Sequence, residues 1–165
     1  MDDEFLKKIC HSVVDISLSI AIAFLIIWTF FSRVVMQGFS MSPRINDRDV
    51  VLVNRLYKRL LPIKRYDCIA FYLNNQENIK RIIGIPGDIV RISSGNVYVN
   101  NEKVSSEYIS DSISSGFEQE VLVENSQYYV LGDNLYSSKD SRSNDIGTIS
   151  QNTIIGKVWY VIGEK

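Results

Sequence analysis

Ser40, in the segment Gly38-Phe39-Ser40-Met41-Ser42-Pro43, and Lys80, at the head of Lys80-Arg81-Ile82-Ile83-Gly84-Ile85-Pro86-Gly87-Asp88, supply between them a nucleophile and a base. A hydroxyl adds to a carbonyl when a neighbouring group takes its proton, and a lysine amine does this once it is neutral. Neutrality at working pH requires a pKa far below ~10.4, which burial in apolar surroundings brings about. Lys80 is suited to such burial, because it lies in a strand-like stretch between Ile79 and Ile82-Ile83. The Ser-His-Asp design is closed to this chain: its 1 histidine, His11, stands at the amino-terminal edge of an apolar span.

A third polar cluster runs from Gly132 to Arg142 (Gly132-Asp133-Asn134-Leu135-Tyr136-Ser137-Ser138-Lys139-Asp140-Ser141-Arg142) directly after the strand-like Tyr128-Tyr129-Val130-Leu131. Gly132-Asp133-Asn134 is a turn signal, and the hydroxyls and charges after it can orient a base or fix the loop through charge-assisted hydrogen bonds. Phe39 and Met41 flank Ser40 with apolar surface that can line a substrate groove.

Two kinds of element must hold these groups. The first is the apolar span from about Val13 to Phe31; roughly 20 residues at ~1.5 Å each cross ~30 Å of hydrocarbon, so it reads as an uncleaved membrane anchor. It ends in Phe30, Phe31 and Arg33, without the small-residue exit site of a removable signal. Lys7 and Lys8 precede it, which predicts a cytoplasmic amino terminus and an external remainder. The expected organisation is a short cytoplasmic segment over 1–11, a single-pass anchor over 12–32 and an extracytoplasmic domain over 33–165. Ser40 follows Phe31 by nine residues, so an extended tether keeps it within roughly 30 Å of the membrane surface.

The second element is a mainly β domain. Val50-Val51-Leu52-Val53 and Cys68-Ile69-Ala70-Phe71-Tyr72 are short β-branched or aromatic runs. Asp88 to Val99 reads as a hairpin turning at Ser94-Gly95, Asn100-Asn101 as a second tight turn, and Ile155 to Ile162 as the last strand. From Ser105 to Glu120 the chain is polar, with Ser105, Ser106, Ser110, Ser112, Ser114 and Ser115, and reads as a surface excursion. Cys10 and Cys68 fall on opposite sides of the anchor and predict no disulfide. A net charge of -1, from 18 basic and 19 acidic residues, offers no basic field for nucleic acid.

Taken in this order after an amino-terminal anchor, the three clusters resemble the bacterial type I signal peptidases, in the compact form of the Gram-positive members. The family's S-M-x-P is matched by Ser40-Met41-Ser42-Pro43, and its K-R-x-x-G-x-P-G-D by Lys80 to Asp88. Its G-D-N-R-x-x-S-x-D-S-R is matched at Gly132, Asp133, Asn134, Ser138, Asp140, Ser141 and Arg142, and the likeness extends to Asp49-Val50-Val51-Leu52, Arg65-Tyr66-Asp67 and Gly156-Lys157-Val158.

The resemblance implies a β-domain on a single transmembrane helix, with Ser40 as acylating nucleophile and Lys80 as general base. Ser138 would hydrogen-bond the lysine amine, and Asp140 and Arg142 would pair beneath the site, with Asp133, Asn134 and Arg81 as further supports. Secretory preproteins would be the substrates, with membrane lipid as the setting and no metal or organic cofactor. The alternative is an accessory factor that binds pilus subunits during surface assembly. A self-cleaving Ser/Lys relative of the phage-repressor type is disfavoured by the anchor.

The pattern is departed from at four places. Arg44 stands where threonine is usual after the proline, Leu135 where arginine follows Gly132-Asp133-Asn134, and Arg48 and Tyr66 where glycine precedes aspartate. Gly38 also lacks a hydroxyl that some relatives add to the oxyanion hole, which leaves the backbone N–H of Ser40 more of that role.

Overall fold

The computed structural model describes residues 3–109, 113 and 116–163. In chain order the elements are α1 (Asp3–Phe30), β1 (Phe31–Val35), β2 (Val50–Asn54), α2 (Tyr57–Leu60), β3 (Cys68–Leu73), β4 (Gln76–Gly84), β5 (Ile89–Ser93) and β6 (Asn96–Val99). Then come β7 (Glu102–Lys103), β8 (Gln119–Leu122), β9 (Gln127–Leu131), β10 (Ile149–Ser150), a 3-10 turn (Gln151–Thr153) and β11 (Ile154–Ile162). The fold is mainly β, in two antiparallel sheets ordered β1-β2-β11-β3-β4-β9-β10 and β7-β6-β5-β8.

Within α1, the stretch Lys7–Phe30 is long and apolar enough to cross a membrane, and its side chains are exposed. The helix stops one residue earlier than the apolar pattern suggests. Phe31 pairs with Asn54 at the start of β1 and its ring lies 5.0 Å from that of Trp159, so sheet pairing draws it out of the helix. Four of the nine residues that follow Phe31 up to Ser40, Ser32 to Val35, therefore lie in a paired strand, and Ser40 hangs on a stiff arm.

Local chemistry explains the hairpins. Residues in the left-handed region match the twist of two-residue hairpin turns, and Asn and Gly tolerate that region best. The three such turns here are Asn74-Asn75 (φ 51° and 61°), Ser94-Gly95 (49° and 78°) and Asn100-Asn101 (50° and 68°). The first fixes the register of β3 against β4 so that Ile69 faces Lys80 and Ala70 faces Ile79. A one-residue slip would turn Lys80 to the opposite face of the sheet.

Three apolar clusters fill the interior. One, of Val34, Met36, Met41, Ile45, Val51, Val53, Ala70 and Ile79, holds a chain neighbour of Ser40 and a chain neighbour of Lys80 together. Another, built on Ile83, Val90, Ile92, Tyr129 and Leu131, also takes in Leu135, Ile109 and Ile113. The serine-rich stretch is thus more than a surface excursion. Ile109 and Ile113 are buried, and its end, Gln119-Glu120, opens β8 beside β5. Ser110, Ser112, Ser114 and Ser115 lie outside the described residues.

Candidate active site

Ser40 sits in a turn whose backbone closes on itself, the Ser42 N–H donating to the Phe39 carbonyl and the Ile45 N–H to the Met41 carbonyl. Met41 is fully buried in the core, so it anchors this turn from beneath. Its expected place in a substrate groove is corrected: a side chain with no exposed surface cannot contact substrate. Phe39 remains on the surface at 59% exposure.

Lys80 reaches Ser40 from the middle of β4, and its Nζ lies 2.6 Å from the Ser40 Oγ. Both residues are buried, at 5% and 7% exposure. Desolvation lowers the Lys80 pKa from 10.5 to about 8 against the opposing field of Asp140. Below about pH 8 the amine is charged and cannot take a proton. The same shift also makes folding less favourable there, by about 3 kcal/mol, because the unfolded lysine binds the proton more tightly; that loss is recovered as pH rises from 8 to 10.5. A lysine desolvated in this way weakens the fold at neutral pH, and groups so perturbed cluster at functional sites.

The loop after β9 surrounds the pair. Asn134 donates its N–H to the Ser40 carbonyl at 3.1 Å, and its side-chain oxygen accepts from the Ser137 N–H. Asp133 takes two bonds from Arg81, at 2.7 and 2.5 Å, so the residue after Lys80 is clamped to the residue before Asn134. Asp140, fully buried, accepts from the Gly132 N–H and from the Arg142 guanidinium at 2.8 and 3.0 Å. Arg142 also reaches the Leu135 and Ser138 carbonyls.

Asp140→Ala would leave the 16%-exposed Arg142 without its carboxylate. We expect a loss of about 3 kcal/mol in denaturant unfolding, since one charge of a buried pair is then uncompensated; an unchanged midpoint would contradict the pairing.

Ser138 departs from expectation. Its Oγ is buried with no hydrogen-bond partner, so it does not hold the Lys80 amine. The amine is engaged by Ser40, and the Ser138 hydroxyl packs instead against the Cα of Gly132, where an added Cβ would collide with it. Ser42, the other hydroxyl of the motif, donates to the Asn46 side chain.

Two groups escaped the sequence reading. Asp88 closes its motif by accepting from Arg65 at 2.6 and 2.5 Å, from the Ile85 N–H and from Asn100. Asp67 takes the Lys157 amine at 2.6 Å. In both cases the signal was an acid inside a quoted motif, but the partner lies far along the chain and no local spacing reveals it. Among the described residues no cluster of three or more His, Cys, Asp or Glu suits a metal ion.

The cleft beside Ser40 and Lys80, of about 460 Å³, is lined by Arg33 to Gln37 on one side and Gln76 to Lys80 on the other. β1 is the edge of its sheet, and β9 pairs with β4 only from Arg81 onward. An extended segment therefore fits between two strand edges, next to Ser40.

Residues 9–162 match the family model described as signal peptidase, peptidase S26. The chain is 32% identical to signal peptidase I of Bacillus amyloliquefaciens over 155 residues, 88% of this chain and 83% of that one. It is 32% identical to signal peptidase IB of Staphylococcus aureus (strain Mu50) over 165 residues, 87% and 85% of the two chains. The crystal structure of a signal peptidase I from Enterococcus faecalis V583 superposes with a TM-score of 0.50 at 30% identity, covering 58% of this chain and 96% of that one.

Proposed function

Because the chain belongs to the signal peptidase family, peptidase S26, we propose that it removes signal peptides from exported preproteins with Ser40 as nucleophile and Lys80 as general base. The observation that carries this reading is the 2.6 Å contact between a buried lysine amine and a buried serine hydroxyl at the head of a cleft. Neutral Lys80 takes the Ser40 proton as Oγ adds to the scissile carbonyl. The tetrahedral adduct collapses with transfer of that proton to the departing amine, which leaves the signal peptide as an ester on Ser40. Water, deprotonated by Lys80, then adds to the ester; collapse releases the peptide carboxylate and returns the proton to Oγ. The backbone N–H of Ser40 serves as an oxyanion donor in this reading, and the exposed Phe39 ring borders the substrate's path.

The substrate enters the cleft as a strand between β1 and β4, so main-chain hydrogen bonds supply affinity and alternate side chains read its small residues. Residues 12–32 act as the anchor, with 1–11 in the cytoplasm and 33–165 outside, in contact with lipid at the helix exit. Exposed Trp159, against Phe31, and exposed Tyr160 after it in β11 are of the kind that settle at a membrane interface. An accessory role with pilus subunits as ligands leaves unexplained why an amine would be desolvated against a serine.

The test is cleavage of a preprotein by the full chain in lipid vesicles, with the new amino terminus sequenced. Cutting after a small residue is expected, with kcat/KM rising with pH through about 8 and then levelling. Binding without cleavage at pH 9 would favour the accessory role.

A further inference from the structure

Three of the four departures from the family pattern meet at one place. Arg44 leaves the nucleophile turn and donates through Nη1 to Asp133 Oδ2 at 3.3 Å and through Nη2 to the carbonyl of Glu107. Tyr66 stacks on Tyr108, with centroids 4.0 Å apart and planes 3° from parallel, while the Arg81 guanidinium lies 5.5 Å from the centre of the Tyr108 ring. Leu135 is buried in the cluster that holds Ile109, against which Tyr108 and Tyr66 also pack. Ser105 shapes the turn that presents these groups, its carbonyl accepting from the Tyr108 N–H and its hydroxyl from the Glu107 N–H.

The contacts form a closed circuit around the dyad. From Ser40 the turn runs to Arg44, then to Asp133, to Arg81 and so to Lys80, and the Asn134 N–H returns to the Ser40 carbonyl. Tyr66 closes a side branch, since its carbonyl accepts from Arg81 Nη1 at 2.8 Å. It does so from a left-handed backbone, φ 70°, where a side chain is strained and the usual glycine is not. Strain kept at a position that contributes a ring stack indicates that the stack is used.

We propose that Arg44 is a positioning residue of the dyad, joining the nucleophile turn, the Asp133 loop and the 105–109 turn into one unit with Tyr66 and Leu135 as its partners. The inference rests on the peptidase reading above. Arg44 touches neither Ser40 Oγ nor Lys80 Nζ and acts through Asp133. The charges that act on Lys80 are Asp140 and Asp133, which favour its protonated form, and Arg142, which opposes it. Arg81, next to Lys80 on its own strand, is tied to Asp133. Removing Arg44 takes compensating positive charge from Asp133 and strengthens that carboxylate's hold on the Lys80 proton.

The experiment compares Arg44→Thr and Arg44→Lys in the full chain, in vesicles with a preprotein substrate. Arg44→Thr should lower kcat about tenfold with KM changed less than about twofold. The rise of kcat/KM with pH should move upward by about half a unit. Arg44→Lys should keep that rise at the wild-type pH while losing part of kcat, because one ammonium cannot span both acceptors. An unmoved pH rise in Arg44→Thr overturns the proposal, whether or not the melting temperature falls, and so does a loss confined to KM. Failure of the peptidase reading looks different, as Ser40→Ala would then equal wild type. In that event, displacement of the Lys80 titration in Arg44→Thr, followed by NMR, tests the circuit without turnover.

Discussion

Ser40→Ala and Lys80→Ala are each expected to abolish preprotein cleavage while the domain stays folded, and the double variant to be hardly worse than either. Nucleophile and base act as one unit, so removal of one leaves the other with nothing to do; losses of roughly 10⁴- to 10⁶-fold are typical of such pairs. Neither change harms the fold, because the packing around the pair is carried by Met41 and Ile79 in the cluster beneath it. Lys80→Ala should raise the melting temperature near pH 7, since it removes a buried amine whose charged form is disfavoured there. Steady-state cleavage and thermal unfolding of the same preparations check both halves. Substantial cleavage by Ser40→Ala would end the assignment.

Gly132→Ala is the second large effect. A Cβ at this position would overlap the Ser40 carbonyl and the Ser138 hydroxyl, and would lie 2.6 Å from the Ser138 Cβ. The first of these neighbours is backbone, and it already accepts from the Asn134 N–H, so it cannot swing aside. One methyl group must therefore displace the nucleophile turn from the loop that supports it. Overpacking of this kind costs about 1–3 kcal/mol, and a displacement of about 1 Å at a reacting centre can cost ~10²-fold in rate. The variant is expected to lose activity by about that factor while remaining folded. Unfolding curves and kcat measured together decide it; wild-type kcat would mean that Gly132 is not the contact point.

The strands that flank the site were legible because their signals are local. Val50 to Val53, Cys68 to Tyr72 and the hairpin turning at Ser94-Gly95 stand where β-branched runs and turn residues put them. Ser40 and Lys80 were legible as chemistry because one histidine at the edge of an apolar span left few other routes to a base. What escaped depends on distance along the chain. Met41 reads as a groove residue beside Ser40 until its neighbours are known to be Val34, Val51 and Ala70, from three different strands. Ser138 reads as a ligand of the amine until its hydroxyl is found against Gly132. Arg44, Tyr66 and Leu135 read as three separate losses, because the turn that they share lies more than 20 residues from each of them in sequence.

The fourth departure, Arg48, lies apart from these three. Glycine is usual there, and Arg48 indeed has φ 68°. Its exposed side chain makes an ion pair with Asp47 at 3.7 Å, a contact of little worth at the surface.

The proposed mechanism needs a Lys80 amine that loses its proton near pH 8, well below a solvated lysine, beside the Ser40 hydroxyl. Its most direct test is titration of Lys80 itself, by NMR of the full chain carrying ¹³C at the lysine ε-carbon, with Lys80→Arg to assign the signal. A midpoint near 8 is predicted, coincident with the rise in kcat/KM. A midpoint near ~10.4, the value of a solvated lysine, would leave Ser40 without a base and contradict the mechanism.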